Sequence, residues 1–154
     1  MRQPLIWVLW IVLAWPLSIP AASGRVVKVL PEFLDLKGRN SLSPSLYERD
    51  AYQVTLRDHP DRRSGMRFYV EWKTKGAVWE PLTIQVELLG TSEGSLPKQL
   101  VLYQRAENRG GWFTHWTNVE LSNAEYKKLG SVTAWRVSLW EGKTLLGLQQ
   151  SFHW

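Results

Sequence analysis

Polar and apolar residues alternate along most of this chain, most plainly at its C-terminal end. The runs VTAWRVSLW (132–140) and TLLGLQQSFHW (144–154) flank Glu141-Gly142-Lys143, the pattern of two strands joined by a tight glycine turn. Period two puts Leu146, Leu148, Phe152 and Trp154 on one face of the last run and Gly147, Gln149, Ser151 and His153 on the other. The same alternation marks 67–73, with Phe68, Val70 and Trp72 inward and Tyr69 outward. It continues in 82–89, with Leu82, Ile84, Val86 and Leu88 inward, and in 99–105. In 112–121 it turns Phe113, Thr117, Val119 and Leu121 inward and Trp112, Thr114, Trp116, Asn118 and Glu120 outward. Near the start, 26–30 is a β-branched run that Pro31 closes, with 33–36 a continuation after a kink.

One segment has helical spacing instead. Ser43 is placed as an N-cap and Pro44 at the first helical position, and Leu46, Tyr47, Ala51 and Val54 recur at three- and four-residue intervals. A helix over about 44–57 results, ending before Pro60, although 52–56 also reads as a strand. Residues 122–130 suggest a helical turn, and Lys37-Gly38-Arg39-Asn40 and Lys75-Gly76 suggest turns. Many short strands, little helix and no βα alternation predict an all-β, antiparallel sandwich. Its expected core is Phe68, Val70, Trp72, Ile84, Val86, Val119, Val137, Leu139, Leu146, Leu148 and Phe152. The segment from Tyr126 to Val132 (YKKLGSV) resembles the tyrosine corner of immunoglobulin-like and fibronectin-type sandwiches, which implies that architecture and no function; the Cys…Trp…Cys spacing is absent.

Composition adds a compartment. Met1-Arg2, the apolar LIWVLWIVLAWPL and the small residues SIPAASG follow the order of a secretory signal peptide, expected over 1–23 and leaving a single domain over 24–154; an uncleaved membrane anchor is the alternative. Export to a periplasmic or secreted location follows. The chain has no cysteine, which excludes a lipid-attachment cysteine, disulfides and thiolate metal sites. Its net charge of +5 comes from basic residues interleaved with acidic ones, as in Glu48-Arg49-Asp50, so it describes a mixed surface and not a nucleic-acid footprint.

Few residues of the chain fall into a catalytic or metal-binding pattern. Gly90-Thr91-Ser92-Glu93-Gly94 spells G-x-S-x-G, but a nucleophile elbow needs a strand before it and a helix after it, and here Pro97 and another strand follow. The histidines, His59, His115 and His153, are widely separated, and neither a metal motif nor a phosphate-binding glycine loop occurs; no cofactor is expected. Tryptophan is the unusual component, 10 in all. Trp7, Trp10 and Trp15 belong to the leader, Trp72, Trp135 and Trp154 fall in register with aliphatic neighbours, and Trp79 sits in a loop. Trp112, Trp116 and Trp140 fall in register with polar neighbours, where rings suit stacking against sugars or anchoring a protein. The expectation is therefore an exported noncatalytic binding or structural module, with Tyr69, Trp112, Trp116, Arg62 and Arg63 as its binding surface and a protein or a glycan as partner. The competing readings are a small outer-membrane β-barrel and a serine hydrolase using Ser92.

Overall fold

A computed structural model of the chain describes residues 22–92, 96–107 and 113–154. The leader at 1–23 therefore lies almost wholly outside the described residues, as does Trp112. Among the described residues, seven strands form two antiparallel sheets: β1 (Ser23–Asp35), β2 (Arg63–Lys75) and β5 (His115–Leu121) in the order β1-β2-β5, and β3 (Leu82–Thr91), β4 (Lys98–Ala106), β6 (Ser131–Glu141) and β7 (Thr144–Gln150) in the order β4-β3-β6-β7. Two helices, α1 (Leu46–Asp58) and α2 (Asn123–Leu129), lie between β1 and β2 and between β5 and β6.

Strict alternation in β2 and β3 builds the core. Phe68, Val70, Leu82, Ile84, Val86 and Leu88 have no exposed surface and Trp72 almost none; Val119, Leu121, Val137 and Leu139 close over them from β5 and β6. Large apolar side chains thus fill the space between the sheets, and each fully buried one contributes about 1.5–3 kcal/mol. The Trp72 indole N–H is satisfied inside this core by Thr117 Oγ1, 2.9 Å away.

Several expectations fail at the edges. β1 runs straight through Pro31, which pairs in register with Phe68. Backbone groups alternate toward and away from the neighbouring strand, and Phe33, two residues on, points its own away from β2 to Gln53. The missing proline N–H therefore faces the free edge, where no ladder bond is lost. α1 starts at Leu46 with Ser45 as its N-cap residue, whereas Ser43 Oγ accepts from the Ser45 N–H at 3.1 Å as part of the turn before it. Phe113 is 80% exposed because β5 begins only at His115.

β7 departs furthest from the expected alternation. Leu139 pairs with Gly147 but Trp140 with Leu145, so Leu146 is an extra residue in the ladder. That bulge shifts the face of everything beyond it by one residue. Leu146 still packs against the core, but Gly147 and Gln149 sit opposite the inward Leu139 and Val137, and Leu148 turns outward, half exposed. Phe152 lies past the end of the strand and is almost fully exposed. Gly147 has a steric reason to face in: a Cβ there would lie 2.6 Å from Arg25 Cα and 3.0 Å from the Gly24 carbonyl oxygen. β1 and β7 close one side of the sandwich through that contact.

Candidate functional site

The outer face of the β4-β3-β6-β7 sheet carries the most site-like arrangement of side chains. With Leu82, Ile84 and Val86 inward, Thr83 and Gln85 must point outward, and the register sets Trp140 on β6 beside Thr83 and Tyr103 on β4 beside Gln85. Strands two ladders apart lie about 10 Å from each other, so the two rings stand astride β3 with a hydroxyl and an amide between them. The resulting trough has a volume of about 320 Å³ and ends at the Gly142-Lys143 turn. Gly142 has φ +53° and Lys143 does not have positive φ, the arrangement of a II′ hairpin turn, which keeps the lip of the trough short.

Both walls are held differently. The Trp140 N–H donates to Ser138 Oγ at 2.8 Å, and Ser138 is itself buried beneath the indole, which fixes the ring over β6. Tyr103 is 67% exposed and free of that constraint on one face. Alongside, Arg136 donates to both carboxylate oxygens of Glu87 at 2.5 and 2.9 Å and stacks on the Trp154 ring at 4.5 Å. Leu145 and Leu148, each about half exposed, extend the apolar surface onto β7.

The residues expected to form a binding surface occupy two regions of the other sheet and its turns. Tyr69 pairs with Asn118, and Trp116 lies two residues from Asn118 on the same outer face, so these two are diagonal neighbours. Trp116 is half exposed, while the Tyr69 hydroxyl accepts from Asn40 Nδ2 at 3.0 Å and Arg67 Nη1 at 3.2 Å. Arg63 starts β2, six residues and about 20 Å from Tyr69. Its guanidinium donates to the carbonyls of Leu56 and Arg57 at the end of α1, reaches the Tyr126 hydroxyl at 3.4 Å and stacks on Phe33 at 4.1 Å. Arg62 is exposed in the 3₁₀ turn Pro60–Arg62. Tyr126 itself lies in α2, and its hydroxyl meets that arginine side chain.

A second, polar hollow of about 420 Å³ opens where β4 and β5 part, lined by Arg105, His115, Trp116 and Asn118 among others. His115 lies against the Trp72 ring at 4.8 Å, and its buried Nε2 has no hydrogen-bond partner among the described residues. Ser92 Oγ accepts from Lys98 Nζ at 3.3 Å, and the same nitrogen donates to the Lys128 carbonyl at 3.0 Å. The next element after Ser92 is β4, not the helix of a nucleophile elbow. Among the described residues, no three His, Asp or Glu side chains converge on a metal position.

Asp35, where β1 meets the turn to α1, is a heavily bonded carboxylate. Burial alone would raise its pKa. The N–H groups of Arg39 and Lys37, the Arg39 guanidinium and the Tyr52 hydroxyl, all within 2.9 Å, outweigh that and bring it down to about 2. Burial and the same carboxylate raise the Tyr52 pKa. This cluster fastens α1 to the sheet and leaves Asp35 no oxygen to offer a substrate.

Of the trough residues, the sequence sets Trp140 among polar neighbours and Thr83 and Gln85 outward, but the expected binding surface includes none of them and misses Tyr103. The available signal was Leu100 and Leu102, whose inward placement forces Val101 and Tyr103 out. Comparisons of the chain with known protein families, with curated proteins and with solved structures return no match.

Proposed function

We propose that this chain is an exported, noncatalytic binding module on an immunoglobulin-like or fibronectin-type sandwich, and that it binds through the outer face of its four-stranded sheet. Strand order supports the architecture. Lettered A to G in chain order, the sheets read A-B-E and D-C-F-G. The constant-type immunoglobulin pattern is A-B-E-D and C-F-G, so a single strand, the fourth, has moved to the other sheet. Export rests on the leader at 1–23, and with it a periplasmic or secreted location.

The observation that carries the binding reading is the Tyr103–Trp140 pair held astride Thr83 and Gln85 on a rigid sheet. Aromatic rings on such a scaffold present large contact area at small entropic cost. A membrane barrel would need its apolar residues on the outside; here the aliphatic side chains fill the interior, and Arg67, Glu71, Lys73 and Glu87 face out. β5 and β7, with 7 residues each, are also shorter than the roughly 9–11 that a membrane strand needs.

The test is a paired screen, a glycan array and a pull-down of exported proteins, run with the wild type and with Tyr103→Ala/Trp140→Ala. Ligands retained by the wild type and lost by the folded double variant support this face. Ligands lost only on Trp116→Ala would move the surface to the β1-β2-β5 sheet.

A further inference from the structure

We infer that the trough between Tyr103 and Trp140 is a subsite for an uncharged saccharide, an assignment that rests on the reading of this face as the binding surface. A pyranose ring presents C–H groups on its flat faces and hydroxyls around its rim. It therefore needs an aromatic face to lie against and neutral hydrogen-bonding groups beside it, and both are present. The Trp140 indole is already oriented by its bond to Ser138, so its free face is offered without a further ordering cost. Gln85 supplies one amide donor set and one acceptor, and Thr83 a hydroxyl that does both. The volume of about 320 Å³ stands at the lower end of the range for small-molecule sites, as suits one unit of a longer chain lying across an open sheet.

Charge argues against other occupants. Glu87, the acid on this face of β3, is matched by the two hydrogen bonds from Arg136, and the exposed Glu80 carboxylate lies outside the floor, against Gly142 at the end of the trough. The floor itself, Thr83 and Gln85, is uncharged; the cations Lys143 and Arg105, which pairs with Thr83, are exposed at its rim, which gives an anionic sugar no buried partner. An apolar protein side chain inserted here would cover the Gln85 amide without bonding it, at the cost of an unsatisfied polar group.

Isothermal titration of the purified protein with cellohexaose, xylohexaose, mannohexaose, chitohexaose and trigalacturonate decides the matter. Saturable binding of at least one neutral hexaose, with trigalacturonate weaker, is the expected result. Trp140→Ala should then weaken that binding about tenfold or more through the lost stacking, and Gln85→Leu several-fold, with the circular dichroism spectrum unchanged. Failure of all four neutral hexaoses to saturate, or tighter binding of trigalacturonate, overturns the assignment. A protein that ignores every sugar but loses a protein partner, or self-association, on Tyr103→Ala disproves the saccharide while keeping the face. Sugar binding that survives both substitutions disproves the face itself.

Discussion

The side-chain amide of Gln53 occupies both backbone groups of Phe33: the Phe33 N–H donates to Gln53 Oε1 at 2.7 Å and the Phe33 carbonyl accepts from Gln53 Nε2 at 3.0 Å. A helix residue thus completes the free edge of β1 as a neighbouring strand would, and its second amide hydrogen reaches the Asn40 carbonyl at 2.7 Å. With Pro31 two residues before, this stretch of edge offers little to an incoming strand from another molecule. Gln53→Leu keeps the volume but strands the Phe33 groups, and is expected to cost about 2–4 kcal/mol in denaturant unfolding. Gln53→Glu should also destabilise, because a carboxylate oxygen would face two carbonyls. Stability unchanged in both variants would show that α1 is not fastened at this point.

Asp35 makes the fold sensitive to acid. Its carboxyl titrates near 2 in the folded chain against an ordinary 3.8. A depressed pKa contributes stability that is fully present above the unfolded value and disappears as pH falls through the folded one. The contribution is at most about 2.5 kcal/mol, nearly complete above about pH 4 and lost on the way to about pH 2. Asp35→Asn should lower stability at neutral pH by up to that amount and flatten the acid limb of the stability curve. An unaltered acid limb in that variant would assign the pH dependence to other carboxylates.

How far the sequence discloses this fold depends on whether a strand keeps its period. In β3 the alternation Leu82, Ile84, Val86, Leu88 is unbroken, and every member is fully buried, so a single register fits. In β7 the sequence TLLGLQQ supports either register until the bulge at Leu146 selects one, and nothing local marks it except Gly147, whose need to be small comes from β1, more than a hundred residues earlier. The trough shares this split: Trp140 is readable from its polar neighbours, whereas the partnership of Tyr103 with it arises from strand order, because β4 and β6 both flank β3. Ile84→Ala should therefore cost about 2–5 kcal/mol, and Leu148→Ala no more than about 0.5 kcal/mol. A large loss from Leu148→Ala in chemical denaturation would restore the register without the bulge.

Gly147 offers the sharpest test of how the sandwich closes. Its backbone carries no positive φ, so alanine is conformationally acceptable there and only space is at issue. The added methyl would lie 2.6 Å from Arg25 Cα and 3.1 Å from the Val26 nitrogen, both backbone atoms that cannot rotate away. Either β1 or β7 must move, and Leu146 and Val26, which pack into the core beside the contact, must move with it. Overpacking of this kind costs about 1–3 kcal/mol, and Gly147→Val should exceed Gly147→Ala. Hydrogen exchange locates the effect: faster exchange is expected at the β1–β7 side, around 24–26 and 146–148, with β3 and β4 protected as before. An alanine variant of wild-type stability would mean that β1 and β7 stand farther apart than their backbones are placed.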